Sequence, residues 1–396
     1  MFEPMHIKIV LILTIGLSIA TALGYLSHRI KLSPIFGYLL AGYCIGPYSP
    51  GYVADIVTAE QLAEIGVVLM MFSAGMHFKW QDLLSVKKIA VPGAIGQTLV
   101  SALIATTLMY GLGWSLESGI VFGLAIGVAS TMVLIRLLSD NHLLKTQQGH
   151  IAVGWLIVED IITVVALLLI PTLAFSPGKE VLLQEIAYSI VITIFKFIVL
   201  IILMFTLGRR LVSYLLSKIV LINSQELFTL GILAITFIIS VGSAWLFGTS
   251  IALGAFIAGM VIGQSKVHHL VTIKVTPLKD AFVVVFFLSV GMLFNPAAIA
   301  EHFNAFLGTL AIVLIAKPCA AFLISFMLKY PIKTALTIAV SLAQIGEFSF
   351  ILSQVATKFG ILPSEGYDII VGCALVSISI NPLLFKLTRK FERQFM

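Results

Sequence analysis

The sequence predicts an all-α integral membrane protein of about thirteen transmembrane helices, and three observations support this prediction. Hydrophobic residues make up 60% of the 396 residues and charged residues only 11%, and the mean hydropathy is +1.11. Apolar runs of roughly 15–27 residues follow one another along the whole chain. Lysines and arginines collect in every second connection between those runs. A soluble domain does not reach such a hydropathy.

Charged residues and Pro- or Gly-rich breaks mark the ends of the apolar runs. In chain order, the predicted helices span residues 6–27, 33–47, 61–78, 89–112, 116–138, 150–174, 188–214, 226–247, 250–264, 281–300, 303–328, 333–357 and 366–387. The three cysteines lie inside these runs and form no CxxC motif. We therefore expect no disulfide, no zinc site and no cofactor.

The distribution of basic residues predicts the orientation of the helices. With the N-terminus outside, 19 of the 24 Lys and Arg fall in cytoplasmic connections or the C-terminal tail, and only Lys179 and Lys358 fall outside. This split follows the positive-inside rule and places the C-terminus in the cytoplasm. The basic excess therefore sets topology, and nucleic acid is not an expected partner. The cytoplasmic set is Arg29, Lys31, Lys79, Lys87, Lys88, Arg136, Lys145, Arg209, Arg210, Lys218, Lys266, Lys274, Lys279, Lys329, Lys333, Lys386, Arg389, Lys390 and Arg393.

The chain contains a weak internal repeat at an offset of 216–217 residues. Residues 37–46 match residues 254–263 at five of ten positions, and residues 72–78 match residues 288–294 with Ser, Gly, Met and Phe in register. The second helix runs outward and its counterpart, the ninth, runs inward, which predicts an inverted-topology repeat. We expect one transport unit over 1–396, with repeat 1 at about 33–174, a connecting helix at about 188–214 and repeat 2 at about 226–387.

Two spans carry small and polar residues where a helix could be broken. The residues concerned are Gly127, Ser130 and Thr131 in the fifth span, and Ser341, Gln344, Gly346 and Glu347 in the twelfth. Irregular backbone at membrane depth is tolerated where it lines a cavity, and freed carbonyls and hydroxyls are suitable cation ligands. The alternative is a tight helix–helix contact made by small residues. Two crossed, unwound helices are the favoured interpretation.

The most informative feature is the adjacent acidic pair Glu159 and Asp160, inside the apolar stretch 151–170. A carboxylate at such depth costs about 2.5–3.5 kcal/mol on insertion scales, so it indicates an ion or proton site. Asp160 is the leading candidate for an alkali-cation ligand, because a carboxylate that binds either a cation or a proton couples the two flows. The alternatives are a pair near a water-filled helix end, or a neutral acid bonded to a neighbour.

Lys317 is the predicted charge partner of the acidic pair, because it lies in the middle of the eleventh span. An ammonium there must be paired or deprotonated, unless it extends to an interface. Pro318 frees the carbonyl of Leu314 from helix bonding, which offers the ammonium an acceptor. Glu347 is assigned either to the ion pathway or to the scaffold of the helix break.

These stretches together resemble the monovalent cation:proton antiporter-2 family, in its Kef/YbaL-type branch. The resemblance rests on residues 36–47, 63–72, 157–160, 253–259, 286–292 and 344–348, in order along the chain. It implies a homodimer of thirteen-helix protomers that works by an elevator motion in the bacterial inner membrane. It also implies that Asp160 binds the ion, while Glu159 departs from the Asp, Asn or Gln usual before it.

The expected activity is therefore exchange of a monovalent cation, K⁺ first and Na⁺ second, for protons, and no enzymatic reaction is expected. The alternatives are a gated potassium efflux channel-like transporter and a sodium-coupled organic anion symporter. Kef-type relatives usually continue into a cytosolic nucleotide-binding regulatory domain or use an ancillary subunit. This chain contains no Gly-rich phosphate-binding motif, so no such domain is expected within it.

Overall fold

The computed structural model describes residues 8–30, 32–50, 54–77, 80–173, 183–265 and 267–395, and in these residues it contains helices and no strand. In chain order the helices are α1 (Lys8–Leu11), α2 (Leu17–Arg29), α3 (Pro34–Ile45), α4 (Ile56–His77), α5 (Trp80–Gly111), α6 (Leu116–Ile126), α7 (Thr131–Asp140), α8 (Gln147–Leu173), α9 (Leu183–Leu203), α10 (Arg209–Leu221), α11 (Gln225–Phe247), α12 (Ile251–Gly263), α13 (His268–Leu293), α14 (Pro296–Glu301), α15 (Phe303–Ala311), α16 (Lys317–Met327), α17 (Ile332–Ser341), α18 (Glu347–Lys358) and α19 (Ser364–Phe395). Turns of π-helix at Ile12–Gly16, Met204–Gly208 and Ile312–Ala316 join α1 to α2, α9 to α10 and α15 to α16.

The predicted fold class is confirmed. Among the described residues, ten helical segments are long and apolar enough to cross a membrane. Three shorter apolar helices, α3, α12 and α17, occupy predicted spans as well. Each of the thirteen predicted spans thus contains helix. A helix satisfies its own backbone hydrogen bonds, which is the condition for placing a chain in lipid.

Several predicted helix ends were wrong. The tenth predicted span, 281–300, corresponds to α13. This helix begins at His268 instead of residue 281, and it contains Lys274, Pro277 and Lys279. Charged residues mark where a helix leaves the bilayer, and they do not end it. The same helix ends at Leu293 instead of residue 300, because Asn295 accepts the Ala297 N–H at 3.1 Å and begins α14. Four of the basic residues used to predict the orientation, Lys31, Lys79, Lys179 and Lys266, lie outside the described residues.

The chain divides into two compact units, and α8 and α13 contribute to both. The first unit comprises Met1–Leu17, Ala54–Phe78 and Leu167–Ser289, and the second comprises Ser18–Val53, Lys79–Ala166 and Val290–Met396.

In the first unit, α4 packs against α12 with almost no space between the backbones. A Cβ atom on Gly75 would lie 2.1 Å from the Phe256 carbonyl oxygen, and one on Gly259 would lie 2.0 Å from that of Phe72. One turn further, a Cβ on Gly263 would lie 2.8 Å from the Met76 oxygen. Glycine is required here because small residues allow such approach between helices in lipid.

In the second unit, α3 makes a similar contact with the end of α13. A Cβ on Gly291 would lie 2.1 Å from the Leu39 carbonyl oxygen, and one on Gly46 would lie 2.7 Å from that of Met292. The core of this unit is formed by buried side chains of α5, α7, α8, α16, α17 and α19. Its largest member is Trp155, which lies one helical turn before Glu159 and therefore sets this core beside the acidic pair.

Candidate functional site

Two helices of the second unit are interrupted where the sequence predicted it. The chain leaves helix between Ile126 and Thr131, and again between Ser341 and Glu347. The first interruption comprises residues 127–130 and the second residues 342–346, and these names are kept below.

The two interruptions contact each other through backbone groups and one side chain. The Gly346 N–H donates to the Val128 carbonyl at 3.2 Å. The Gln344 amide accepts the Ser130 N–H at 3.0 Å and donates to the Ser130 carbonyl at 3.1 Å. A Cβ on Gly346 would lie 2.5 Å from the Ala129 oxygen, so the approach requires glycine. The predicted residues Ser130, Gln344 and Gly346 are thus in one place.

Gln97 and Ser349 provide further support for the first interruption, and neither was predicted from the sequence. The fully buried Gln97 amide donates to the Gly127 carbonyl at 3.0 Å and accepts the Trp155 indole N–H at 3.2 Å. The Ser349 hydroxyl donates to the Ala125 carbonyl at 2.6 Å. Gln97 is the one amide in the apolar stretch 89–112, which is the signal that could have identified it.

Glu159 is fully buried and bonded to the first interruption. Its Oε2 atom accepts the Ala129 N–H at 2.8 Å. The Trp155 indole lies one helical turn away on the same side of α8, and its N–H donates to Gln97. A carboxylate that accepts a backbone N–H in a dry environment makes a charge-assisted hydrogen bond, which is stronger than a neutral one. The charge of Glu159 therefore helps to fix the shape of residues 127–130.

Lys317 is also fully buried, and its ammonium joins the two interruptions. The Nζ atom donates to the Gln344 carbonyl at 3.2 Å and to the Ile126 carbonyl at 3.5 Å. Glu159 attracts this ammonium through space. The carbonyl of Leu314 was the expected acceptor, but the ammonium uses carbonyls of the two interrupted helices. The missing N–H of Pro318 is instead accommodated by the preceding π-helical turn, in which the Lys317 N–H donates to Ile312.

Asp160 differs from its neighbour because it is partly exposed. Within the described chain its Oδ1 atom is buried and makes no hydrogen bond, and the same is true of the Thr131 hydroxyl oxygen. The charges that act most strongly on Asp160 are those of Glu347 and Glu159, both of which repel it. Glu347 is buried at the first position of α18, where the positive end of the helix dipole favours a carboxylate.

Ser130 has a structural task besides its predicted place at the ion. Its hydroxyl accepts the Val133 N–H at 3.2 Å and so caps the N-terminus of α7. No side chain caps α18, whose first position follows Gly346 directly. The site as a whole brings together three acids and one lysine at the junction of two interrupted helices.

Comparison with known proteins gives concordant results over nearly the whole chain. It is 46% identical to "Putative cation/proton antiporter YbaL" of Escherichia coli (strain K12), over 98% of this chain and 70% of that protein. It is 30% identical to K(+) efflux antiporter 4 of Arabidopsis thaliana, over 89% of this chain and 59% of that protein.

The fold is that of a solved structure, the sodium proton antiporter MjNhaP1 from Methanocaldococcus jannaschii at pH 8. The TM-score is 0.70, with 97% of this chain and 98% of that chain covered at 17% identity. The family model described as "Sodium/hydrogen exchanger, transmembrane" matches residues 15–388. The protein is accordingly a multi-pass membrane transporter, not an enzyme, and it belongs to the transmembrane sodium/hydrogen exchanger family.

Proposed function

We propose that this protein exchanges a monovalent cation for protons across the bacterial inner membrane, with Asp160 as the residue that binds either ion. The observation that carries the proposal is the charge imbalance at the junction of the interrupted helices. The charges of Glu159 and Glu347 both repel that of Asp160 there, and the Lys317 ammonium attracts Glu159. Acids in excess of bases at such depth must be neutralised by a proton or by a metal cation.

The arrangement supports Asp160 over Glu159 as the exchanging group. Glu159 already accepts the Ala129 N–H and is attracted by Lys317. Asp160 and Thr131 each keep an oxygen without a hydrogen bond in the described chain, and so does Glu159 through its Oε1 atom. Asp160 differs from Glu159 because it is partly exposed and is not bonded to the first interruption, so a cation can reach its oxygen. A cation on Asp160 and a proton on Asp160 exclude each other, and this exclusion couples the two fluxes. Ser130 completes the proposed set through its hydroxyl and carbonyl oxygens.

Equivalent contacts support the inverted repeat. Gly291 packs on the Leu39 carbonyl, and Gly75 packs on the Phe256 carbonyl. The glycines are 216 residues apart and the carbonyls 217 apart, the offset found in the sequence. In the same way, Gly46 faces Met292 and Gly263 faces Met76. We assign repeat 1 to about 33–174 and repeat 2 to about 226–387, related by opposite orientation in the membrane.

The relatives support the choice of cation. Potassium is the first candidate cation, because relatives of this chain are named as K(+) efflux antiporters. Sodium is the second, because the structure with the same fold is a sodium proton antiporter. We further propose a homodimer that works by alternating access, with the N-terminus outside and the C-terminus in the cytoplasm. The chain spans 59% of K(+) efflux antiporter 4. Because the chain resembles Kef-type proteins, a regulatory nucleotide-binding domain or ancillary subunit is also part of the proposal.

The test is an exchange assay in proteoliposomes that contain a pH-sensitive dye and receive K⁺, Na⁺, Li⁺ or Rb⁺ in turn. Wild-type protein is expected to move protons against the added cation, with K⁺ most effective. Asp160→Asn keeps the shape and removes the charge, so it should abolish exchange while the protein still folds. The matched control is Asp140→Asn, which removes an exposed acid at the end of α7 that faces Arg136 at 3.8 Å.

Each alternative activity gives a different result in the same assay. A channel-like transporter passes the cation without obligatory proton movement, and a symporter moves protons or Na⁺ only when an organic anion is supplied. Exchange at the wild-type rate in Asp160→Asn would exclude Asp160 as the carrier. An equal loss in Asp140→Asn would show that the effect comes from general damage to the protein.

A further inference from the structure

Helix α19 carries two fully buried polar residues, Ser377 and Asn381, whose role the ion site alone does not explain. They are four residues apart, so they lie on one face of the helix. That face meets the second interruption. The Ser377 hydroxyl accepts the Ile345 N–H at 3.3 Å, and the Asn381 amide donates to the carbonyls of Val340 at 2.6 Å and Ala343 at 3.5 Å.

These hydrogen bonds replace those that the interrupted helix has lost. Carbonyls at the end of α17 lack their usual donors four residues later, because the chain leaves helix at residue 342. Asn381 supplies a donor to the Ala343 carbonyl and a second donor to the Val340 carbonyl, which also accepts the Ala343 N–H at 3.2 Å. N–H groups before α18 lack helical acceptors for the same reason, and Ser377 supplies an acceptor to one. A buried backbone group left without a partner is costly, so these side chains stabilise the interrupted conformation.

The segment held in this way presents Gln344 to the ion site. Gln344 lies between Ala343, whose carbonyl accepts from Asn381, and Ile345, whose N–H donates to Ser377. Its side chain binds Ser130 on the first interruption, and its carbonyl accepts the Lys317 ammonium. A shift of residues 343–345 would therefore move the acceptor of Lys317 and the partner of Ser130 together.

The geometry assigns Ser377 and Asn381 as positioning residues that set cation affinity by holding Gln344 against Ser130 and Lys317. This inference rests on the proposed cation–proton exchange, and it adds a determinant on a helix outside the two interrupted ones. Apart from the bond that the Ser377 hydroxyl donates within α19 to the Ala374 carbonyl at 3.3 Å, the hydrogen bonds of both residues go to the backbone of the second interruption and of α17. Their effect on the cation therefore passes through Gln344.

The test measures the half-saturating K⁺ concentration and the maximal exchange rate for Ser377→Ala and Asn381→Leu. Loss of one hydrogen bond worth about 1 kcal/mol corresponds to about a fivefold rise in the half-saturating concentration. The maximal rate should change less, because Asp160 is untouched. The matched control is Ser379→Ala, whose hydroxyl donates within α19 to Leu375 at 2.6 Å and whose loss should leave affinity at the wild-type value.

A double-variant cycle separates positioning from general destabilisation. Gln344→Leu removes the side-chain bonds to Ser130 and keeps the carbonyl that accepts Lys317. If Asn381 acts through the Gln344 side chain, then Asn381→Leu added to Gln344→Leu should raise the half-saturating concentration by less than about twofold. Full additivity would overturn the route from α19 to Ser130, and wild-type affinity in both single variants at equal amounts of folded protein would overturn the inference. If the Asn381→Leu protein does not accumulate in the membrane, Ser377→Ala provides the test, because it removes a smaller group.

A second readout distinguishes this inference from the exchange on which it rests. Stabilisation of the detergent-solubilised protein against heat by K⁺ reports binding without turnover. If wild-type protein is stabilised by K⁺ but exchanges no protons, the proposed function fails while the affinity shifts of the two variants still decide the role of α19. If neither K⁺ nor Na⁺ stabilises the wild-type protein, both proposals are wrong.

Discussion

The two interrupted helices solve the same problem with different chemistry. The first interruption is held by a charge, because Glu159 accepts the Ala129 N–H, and by the neutral amide of Gln97 on Gly127. The second is held from α19 by the neutral groups of Ser377 and Asn381. Both expose backbone groups at depth, and in both the compensating side chains come from residues distant in sequence.

The first interruption should therefore respond to a change in the charge of Glu159. The hydrogen bonds from α19 to the second interruption should not. A change in the charge of Glu159 acts directly on the hydrogen bond that shapes residues 127–130. No charge change acts in the same way on the bonds from α19 to the second interruption. Lys317 connects the two interruptions, since its ammonium donates to a carbonyl of each helix, Ile126 in one and Gln344 in the other. The comparison therefore predicts graded effects for substitutions at the two interruptions.

The largest effect is expected for Lys317→Gln, because Lys317 serves both interruptions. The substitution removes the cation that attracts Glu159 and weakens two buried hydrogen bonds, each of which involves a charged donor. We expect a loss of about 2–3 kcal/mol in the stability of the cation-free protein. The loss should shrink when K⁺ is present, because a bound cation offsets the same negative charge. Thermal unfolding with and without K⁺ measures both values.

The same variant tests the electrical role of Lys317. A lysine that gives up its proton when a cation arrives adds one proton to each cycle, so Lys317→Gln should weaken the dependence of exchange on membrane voltage. Lys196→Gln is the matched control, since Lys196 is exposed in α9. Unchanged voltage dependence in Lys317→Gln would remove Lys317 from the coupling and leave it a structural link between the interruptions.

An intermediate effect is expected for Glu159→Gln, which tests whether the first interruption needs a charge or only an acceptor. The glutamine oxygen can still accept the Ala129 N–H, though in a weaker neutral hydrogen bond, so residues 127–130 should keep their shape with less stabilisation. We expect exchange within about tenfold of the wild-type rate, a barrier change of about 1.4 kcal/mol, with fewer charges moved per cycle. Reversal potentials of both proteins measure the charge per cycle. Complete loss of exchange would make Glu159 an obligatory ligand and reverse its ranking below Asp160.

Much of this arrangement could be predicted from the sequence because it is encoded locally. Small and polar residues in the middle of a span have few uses in lipid, so the groups around Gly127 and Gln344 were sufficient to indicate both interruptions. An acidic pair at depth indicated the site for the same reason. The fold class followed from hydropathy and from the spacing of basic residues.

The remaining features depend on contacts between distant segments, which one sequence does not contain. Gln97, Ser377 and Asn381 are single polar residues in apolar runs, and nothing nearby distinguishes a partner of an interruption from an ordinary buried side chain. The acceptors of Lys317 likewise come from two other helices. The early start of α13 was missed because Lys274 and Lys279 interrupt the apolar run, whereas the helix itself begins at His268 and includes both lysines.

The smallest effect is expected for Ser130→Ala, which tests the capping that distinguishes α7 from α18. The hydroxyl caps α7 through the Val133 N–H, and loss of such a cap costs about 1 kcal/mol of stability. Ser250→Ala is the matched control, because the Ser250 hydroxyl caps α12 through the Leu253 N–H at the same distance of 3.2 Å, away from the ion site. The two variants should lose similar stability. If the Ser130 hydroxyl also binds the cation, its variant alone should raise the half-saturating K⁺ concentration, by up to about fivefold. An unchanged K⁺ affinity would confine the Ser130 hydroxyl to the cap and leave Asp160 and Thr131 as the side-chain ligands.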